Sequence, residues 1–487
     1  MLGEKKITDS LWFTAGISVL AGVIIFLIPI PQSLYEIAEA VPARDAERAW
    51  TLLAVFVATI FAFVFKPWPM GTVSFIAIVV LVVTRTLGIG PALSGFGNPI
   101  MWIVISAFFI SRGVSKSKLG ERIAYFFMKV FGKKTLGLSY AFIATNLVLA
   151  PAMSSITARM GGTISPIIRA LSEVFGSKPE DGTERKVGSF VMFSTFQSDM
   201  PISAMFMTAM AGNPLIVQIV RDVIGHELTW AQWTLAALVP GLITIALIPL
   251  ILYKLYPPEI KETPEAAEMA SKKMAEMGPV SIMEKKMIGI FVLVLFLWVF
   301  GPTMFGIDAT TAALIGLCVM LVIGVLSFED IKAEKVAWET LVWFATMVMM
   351  ATQLNTLGII PWFSQIVGNS VAGLSWYIAF GIIAIVYFYS HYFFASNVAH
   401  IAAMYGALLG VSVAIGAPPL FAALVLAYIS NLYGGLTHYS TGLTPVIYSM
   451  GFVTQRDWWS FGFLFSIVYL VIWLGIGGVW WRLLGLW

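Results

Sequence analysis

Two short stretches place polar residues in apolar surroundings at the same spacing. In the first, Ser155 is followed four positions later by Arg159, and in the second, Ser396 is followed four positions later by His400. Polar and cationic groups in a nonpolar environment need partners. We therefore interpret the two stretches as paired halves of one binding site. For Arg159, the sequence leaves open an ion pair with Asp199 as an alternative.

The composition is typical of a helical membrane protein with many spans. The 487 residues are 59% hydrophobic and only 11% charged, and the mean hydropathy is +0.89. Apolar runs of about 20 residues indicate spanning helices, because the strands of a membrane barrel are about 10 residues long and alternate. A net charge of +3 gives no indication of nucleic-acid binding. One cysteine and scattered histidines predict no metal site, and without a glycine-rich phosphate loop no cofactor is expected.

Apolar runs predict eleven spans and two interrupted regions. The spans are expected at about 11–31, 50–66, 70–88, 98–113, 188–213, 230–254, 286–304, 309–328, 338–357, 418–450 and 459–484. Two further apolar regions, 136–170 and 371–411, are each long enough for two short helices, and the Ser155 and Ser396 stretches interrupt them. We interpret both regions as hairpins that enter the membrane and return on the same side.

Lysine and arginine in the loops predict the orientation. The loop from Arg112 to Lys134 carries seven basic residues against the single acid Glu121, which is typical of the cytoplasmic side. The loop after the first hairpin is also basic, so that hairpin should enter from the cytoplasm and the second from outside. With the N-terminus inside and the C-terminus outside, each half has five spans and one hairpin after the first span. An odd number of spans per half predicts inverted repeats.

Each hairpin is followed by a span that small and polar residues interrupt. The predicted helix breaks are at Pro201, Pro214, Gly442 and Pro445. The polar side chains expected beside them are Thr208, Asn213, Thr441 and Thr444. Unwound backbone and helix N-termini that meet at the membrane midplane favour an anion. The alternative is that these residues make ordinary kinks in membrane helices.

The second break carries a specific resemblance. The stretch Ile429-Ser-Asn-Leu-Tyr-Gly-Gly-Leu-Thr-His-Tyr-Ser-Thr-Gly, with the hairpin tips and the pairs Asn213-Pro214 and Thr444-Pro445, resembles the divalent anion/sodium symporter family, also called INDY. The resemblance extends over nearly the whole chain. It is strongest to the bacterial branch of citrate/succinate and 2-oxoglutarate/malate exchangers. The resemblance implies a homodimer in which a transport domain moves as an elevator against a fixed scaffold.

The resemblance also implies roles for the hairpin tips. Its substrate-binding positions fall on Ser155 and Thr157 at the first tip and on Ser396 and Asn397 at the second. Ile156 stands where the family pattern has Asn, and Val398 stands where it has Thr.

These departures weaken the case for the family's sodium sites. An arginine at the centre of a span costs about 2.5–3.5 kcal/mol on insertion scales, so its presence calls for a role. We therefore predict that Arg159 and His400 act as built-in positive charges that compensate the charge of the substrate.

The same resemblance predicts a division into scaffold and transport parts. The scaffold is expected at 1–134 and 286–370, the transport domain at 135–256 and 371–487, and a cytoplasmic linker with an amphipathic helix at 257–285. The partners expected from the sequence are small dicarboxylate anions, the lipid bilayer and a second copy of the chain. The predicted location is a bacterial cytoplasmic membrane.

The predicted function is exchange of C4 or C5 dicarboxylates such as malate, succinate, fumarate and 2-oxoglutarate. Sodium-independent antiport is favoured, and sodium-coupled di- or tricarboxylate symport is the alternative within the same class. An anion channel and an intramembrane enzyme are alternatives from other classes. A channel would conduct without counter-substrate, whereas an enzyme would convert its substrate in detergent.

Overall fold

The computed structural model describes residues 11–41, 44–370 and 373–487. Every regular element within these ranges is helical, which confirms the predicted all-α class. Long apolar runs without strand-like alternation form helices because a helix satisfies its own backbone hydrogen bonds inside a bilayer. Several helices begin at side-chain caps, including α14, where Ser281 and Glu284 form a reciprocal capping box.

The first half of the chain consists of a set of long helices, one helical hairpin and their connections. Its α-helices are α1 (Leu11–Leu27), α2 (Gln32–Glu39), α3 (Ala46–Phe65), α4 (Met70–Val83), α5 (Ile89–Leu93), α6 (Pro99–Ser117), α7 (Leu119–Phe131), α8 (Thr135–Leu149), α9 (Ser165–Val174), α10 (Gly188–Met205), α11 (Gly212–Ile224) and α12 (Trp230–Leu255). A π-helical segment, Thr157–Ile164, leads into α9.

The second half follows a linker helix and has a similar order. Its α-helices are α13 (Pro264–Met277), α14 (Ile282–Phe305), α15 (Ala309–Val322), α16 (Phe328–Ala333), α17 (Lys335–Thr356), α18 (Ile359–Ser370), α19 (Trp376–Ser390), α20 (Asn397–His400), α21 (Gly406–Ala414), α22 (Pro419–Leu432), α23 (Thr444–Ser449), α24 (Gln455–Leu470) and α25 (Gly478–Leu483). Two π-helical segments lie at Ile401–Tyr405 and Val471–Gly477.

Each of the eleven predicted spans coincides with a helix. Within the described ranges, eight helices are long and apolar enough to cross a bilayer, or up to ten if two bent pairs each count as one span. Three of the eight are hairpin arms. The count of eleven therefore also requires the shorter apolar helices α4, α15 and α22, together with α10. Polar residues lower the hydropathy of α10, and its whole length is buried by other helices.

Both interrupted regions form helical hairpins. In hairpin 1, α8 ends in a 3-10 turn at Ala150–Ala152, and the π-helical segment that follows the break lies against α8. In hairpin 2, α19 ends in a 3-10 turn at His391–Phe393, and α21 lies against α19. A short non-helical break separates the arms in each case, so both breaks fall where the sequence predicted them.

The helices pack in two main groups. α1, α3, α4, α6, α14, α15 and α17 contact one another, and α10 contacts α8, α12 and α22. Where the groups meet, the Thr352 hydroxyl of α17 donates to Asp222 Oδ2 of α11 at 2.9 Å, and Asn355 Nδ2 donates to the Asp222 carbonyl at 2.8 Å. The division into scaffold and transport domain stays a prediction.

The linker is attached to the group around α10 through backbone hydrogen bonds. The Thr135 amide donates to the Lys261 carbonyl at 3.0 Å, and the Ile260 amide donates to the Lys186 carbonyl at 3.0 Å. α13, the expected linker helix, packs on α7. Arg122 of α7 bonds the carboxylate of Glu284 at the start of α14. The linker is therefore attached along its length.

A charged cluster joins α6 to α16. Lys116 Nζ lies 2.6 Å from Asp330 Oδ2, and Arg112 Nη1 lies 3.0 Å from Glu334 Oε2. The hydrogen bond from Lys116, with those from Ser327, holds the pKa of Asp330 well below its usual range. Asp330 therefore stays ionised at physiological pH, and this contact does not depend on pH there.

We predict that cysteines placed beside hairpin 1 and beside hairpin 2 are labelled from opposite sides of the membrane. Glu180 follows hairpin 1 and has a side chain that is 69% exposed, and Leu374, which precedes hairpin 2, is 48% exposed. Cys318 is exposed and must first be replaced by alanine. Glu180→Cys should then react with an impermeant maleimide only from inside the cell, and Leu374→Cys only from outside. Labelling of both from the same side would contradict the inverted topology.

Candidate functional site

Both hairpin tips present a serine immediately before their second arm. Ser155 Oγ accepts a hydrogen bond from the Ala158 amide at 3.2 Å, and Ser396 Oγ accepts one from the Ala399 amide at 3.4 Å. Each serine thus caps the first turn of a helical segment, where unpaired backbone amides concentrate. Both serines are half-buried and Thr157 is exposed. The tips therefore combine hydroxyl groups with amide donors, as an anion requires.

Arg159 lies beneath the first tip in a fully buried polar cluster. It and Asp199 have no exposed surface, and Arg159 Nη2 lies 2.7 Å from Asp199 Oδ1. The other acceptors for the guanidinium are the Asn146 side chain, the Ser203 hydroxyl and the carbonyls of Met153 and Ala209. These five hydrogen bonds use all five N–H donors of the guanidinium.

The sequence analysis predicted that Arg159 compensates the charge of the substrate, with an ion pair to Asp199 as the alternative. The structure shows the alternative, an ion pair with Asp199, so the charge of Arg159 is compensated within the protein. The pair gathers acceptors from α8, α10, the hairpin 1 break and the segment after α10. Its location therefore makes it a connection between hairpin 1 and α10.

The helix breaks fall at three of the four predicted positions. α10 continues through Pro201 to Met205, so the prediction of a break at Pro201 is wrong. Proline has no N–H to donate to the carbonyl of Gln197, and the Tyr469 hydroxyl donates to that carbonyl instead, at 2.8 Å. The chain leaves the helix at Phe206, which is extended.

The other predicted breaks adjoin helix starts. Pro214 lies in the first turn of α11, and Pro445 lies in the first turn of α23. A first-turn proline loses no helical hydrogen bond, because the amides there have no partner in the helix. Gly442 lies in the non-helical segment before α23 and faces hairpin 1, since a β-carbon at Gly442 would lie 3.8 Å from Thr157 Oγ1.

Hydrogen bonds tie the first break to hairpin 1 and to the second break. The Thr208 hydroxyl donates to the Pro151 carbonyl at 2.8 Å and accepts from Trp230 Nε1 at 3.1 Å. Asn213 Nδ2 donates to the carbonyls of Ser203, in the last turn of α10, and Phe206, in the break. Asn213 Oδ1 accepts from Asn431 Nδ2 at 2.8 Å. The predicted ligands Thr208 and Asn213 therefore use their polar atoms to hold the breaks together.

Thr441 and Thr444 cap one another in the second break. The Thr444 hydroxyl donates to the Thr441 carbonyl at 2.8 Å and accepts from the Thr441 amide at 3.0 Å. Thr441 Oγ1 accepts from the amides of Leu443 and Thr444. These two predicted ligands are buried, and their hydroxyls fix the shape of the loop beside the tips.

Asn397, a predicted ligand at the second tip, has a side-chain amide without a hydrogen-bond partner. It is 5% exposed, and neither Nδ2 nor Oδ1 of its side chain has a hydrogen-bond partner. A β-carbon at Gly434 would lie 3.1 Å from Asn397 Nδ2 and 2.9 Å from Thr441 Cγ2, so the amide faces the second break. A buried amide without partners is costly, which indicates that a ligand or water completes its bonding.

His400 and His391 form a pair within hairpin 2, one on each side of its break. Both are fully buried, and their Nδ1 atoms are 3.0 Å apart. His391 Nε2 lies 3.0 Å from the Ser440 carbonyl oxygen, and His400 Nε2 lies 3.0 Å from Ser390 Oγ. The sequence analysis singled out His400 but did not connect it to His391. No spacing rule for regular helices brings these residues together.

A cavity of about 420 Å³ leads along hairpin 1 between it and α6–α7. Lys118, Glu121 and Thr163 contribute polar groups to its lining, and Ala158 lines the end near the tip. Lys118 adopts a left-handed backbone conformation with φ of 60° where α6 turns into α7. The cavity therefore lies beside the second arm of hairpin 1, next to the basic loop between α6 and α7.

Sequence similarity identifies the family. The model of the family described as the sodium:sulfate symporter transmembrane region matches residues 9–487. The chain belongs to this family of membrane transporters. Membership confirms the resemblance to the divalent anion/sodium symporters and places this symporter-family protein among transporters and not enzymes.

Relatives of this family member align over almost its whole length. It is 54% identical over 471 residues to Bacillus subtilis YflS, covering 97% of this chain and 96% of that protein. It is 46% identical to the chloroplastic dicarboxylate transporter 1 of Spinacia oleracea, covering 96% of this chain and 81% of that protein. It is 34% identical to the citrate/succinate antiporter of Escherichia coli, covering 98% of this chain and 99% of that protein.

A solved structure shares the fold. The Alcanivorax borkumensis YdaH transporter superposes with a TM-score of 0.54 at 11% sequence identity, covering 82% of this chain and 89% of that chain. The similarity supports the helical architecture described above.

Proposed function

We propose that this family member exchanges C4 and C5 dicarboxylates, such as malate, succinate, fumarate and 2-oxoglutarate, across a bacterial cytoplasmic membrane. The observation that carries the proposal is the buried, unpartnered Asn397 amide at the second of two serine-capped hairpin tips. The names of its relatives support the substrate class, since one is called a dicarboxylate transporter, another a citrate/succinate antiporter, and the name of YflS refers to malate.

Each tip takes one carboxylate of the substrate. Ser155 and Thr157 contribute hydroxyl groups on one side, and Ser396 and Asn397 contribute a hydroxyl and an amide on the other. Carboxylate oxygens accept hydrogen bonds from hydroxyl, amide and first-turn backbone donors. Asn397 Oδ1 accepts a hydrogen bond from a substrate hydroxyl, such as that of malate, or from a water.

The carrier works without sodium. Ile156 and Val398 are apolar where the family pattern has Asn and Thr, so each tip offers a sodium ion one polar side chain fewer than that pattern does. The protein works as a homodimer in which the transport domain moves past the scaffold. The hydrogen bonds of Asp222 to Thr352 and Asn355 join the moving part to the fixed part and break in each transport cycle.

Counterflow in proteoliposomes tests the function. Uptake of labelled malate should be rapid when the lumen holds unlabelled malate or 2-oxoglutarate, and should fall at least tenfold when the lumen is empty. Replacing sodium by choline on both sides should leave the rate unchanged. Equal uptake into empty vesicles would indicate a channel, and loss of uptake in choline would indicate sodium symport. Either result would contradict exchange.

A further inference from the structure

In the His391–His400 pair, the surrounding groups determine which ring nitrogens donate hydrogen bonds and which accept them. The Ser440 carbonyl only accepts hydrogen bonds, so His391 Nε2 carries the proton of the 3.0 Å bond between them. In a neutral His391, Nδ1 is then an acceptor, and the proton of the 3.0 Å Nδ1–Nδ1 bond belongs to His400. His400 Nε2 in turn accepts from the Ser390 hydroxyl. With both rings neutral, every ring nitrogen of the pair is bonded.

The same geometry accepts one additional proton. If His400 Nε2 gains a proton, it donates to Ser390 Oγ, and the Ser390 hydroxyl turns to the Tyr387 carbonyl, which lies 3.0 Å from Ser390 Oγ. All the hydrogen bonds of the pair are then kept, and only the bond between His400 Nε2 and Ser390 Oγ exchanges its donor and acceptor. A second proton would place two N–H groups face to face across the 3.0 Å Nδ1–Nδ1 contact. The pair therefore holds no more than one added proton.

Among the residues that the structure describes, no acid next to the pair would compensate a positive charge on it. From Thr340 to Gln455 the sequence has no Asp, Glu, Lys or Arg. The titratable groups that face the pair are the phenols of Tyr387, whose ring centroid is 4.8 Å from that of His400, and Tyr433, 3.9 Å from that of His391. On α10, which packs against the turn that carries Tyr433, Asp199 is already paired with Arg159.

A positive charge at this place therefore needs an anion from outside the protein. A buried charge without a partner costs several kcal/mol. The pair adjoins the proposed substrate site on two sides. Asn397 is three residues from His400 on the same helical arm, and the Ser440 carbonyl bonded to His391 precedes Thr441. A dianion at the tips would supply the missing partner.

We propose that the His391–His400 pair is a binding site for a single proton, filled when a dicarboxylate dianion occupies the tips and empty when they are unoccupied. The inference rests on the proposed function and deepens it, because it assigns the charge compensation that Arg159 does not supply. The dianion and the added proton together then have a net charge of about −1, whereas the dianion alone has −2. Proton and dicarboxylate travel together in each direction, so exchange of two dianions moves no net proton.

Calorimetry of substrate binding tests the proposal. Malate is titrated into the purified protein in detergent near neutral pH, in buffers with different enthalpies of ionisation. Malate is then fully ionised, because carboxyl groups titrate well below neutrality. The observed binding enthalpy should depend linearly on the ionisation enthalpy of the buffer. The slope gives the number of protons taken up per malate bound, which should be about one. Over the same range, the Kd should rise about tenfold per pH unit, as linkage to one proton requires.

Histidine variants locate the proton. His400→Gln and His391→Gln should each lower the number of protons taken up per malate bound to near zero. Each should also flatten the pH dependence of the Kd for malate. His226→Gln and His438→Gln change the other two histidines of the chain and should retain an uptake of about one. Malate binding without dependence on the buffer in the parent protein would overturn this inference alone. Proton uptake on malate binding that persists in both His391→Gln and His400→Gln would also overturn it. If the parent protein did not bind malate at all, both this inference and the proposed function would be overturned.

Discussion

Arg159→Met should destabilise the protein by about 3–5 kcal/mol, because it leaves the Asp199 carboxylate buried and charged without its partner. Asp199 Oδ1 then keeps only the Asn146 amide, which is 2.7 Å away, and Oδ2 already has no partner. Denaturant and thermal unfolding of the detergent-solubilised protein measure the effect. A double variant, Arg159→Met with Asp199→Leu, should recover most of the loss, since neither charge then remains buried.

Arg169→Met is the matched control. Arg169 lies on α9 of the same hairpin, its side chain is 53% exposed, and it faces Glu173 at 3.6 Å. Exposed ion pairs contribute about 0–1 kcal/mol, so this variant should unfold almost as the parent does. A parent-like stability of Arg159→Met would show that the pair does not hold hairpin 1 to α10. Loss of malate affinity in that stable variant would restore the interpretation of Arg159 as a charge for the substrate.

Asn397→Ala should weaken malate binding by about 10- to 100-fold without loss of stability. A hydrogen bond to a charged ligand contributes about 1.5–3 kcal/mol, which is one to two decades of affinity. The substitution removes no hydrogen bond of the Asn397 side chain within the protein, because that side chain has none. Binding calorimetry gives the affinity, and thermal unfolding of the substrate-free protein gives the stability.

Asn369→Ala serves as the control for this prediction. Asn369 is an exposed residue near the end of α18, and its replacement should change neither the affinity for malate nor the unfolding temperature. If Asn397→Ala bound malate as the parent does, the second tip would not contact the substrate. If it unfolded at a clearly lower temperature, Asn397 would have a structural role and not a ligand role.

The fold could be predicted from the sequence where the signal is local. Apolar run length predicted the positions of the spans, and the Ser155 and Ser396 interruptions predicted the two hairpin tips. These features depend on the solubility of consecutive residues in lipid and on the cost of buried polar groups. The same local logic predicted α13 as a helix in the linker.

The details of the site depend on contacts between distant segments, and these the sequence did not indicate. Pro201 is a strong breaking signal, yet α10 continues because the Tyr469 hydroxyl, 272 positions away, satisfies the carbonyl of Gln197. The five acceptors around Arg159 come from four separate segments. His391 and His400 are nine positions apart, which is not a helical neighbour spacing, and the break between their helices brings their rings together.

The π-helical segments in the second arms add a constraint on chain length. Thr157–Ile164 and Ile401–Tyr405 each follow a tip directly. A π turn accommodates one residue more than an α turn, and one residue corresponds to about 100° of rotation around a helix. The extra residue therefore rotates each tip around the axis of its helical arm, relative to the face with which α9 or α21 packs against neighbouring helices. Deleting a single residue from either segment would restore the α-helical phase and turn the tip away from the other one, whichever residue type was removed. Conservation of the number of residues in these arms should consequently be stricter than conservation of their side chains.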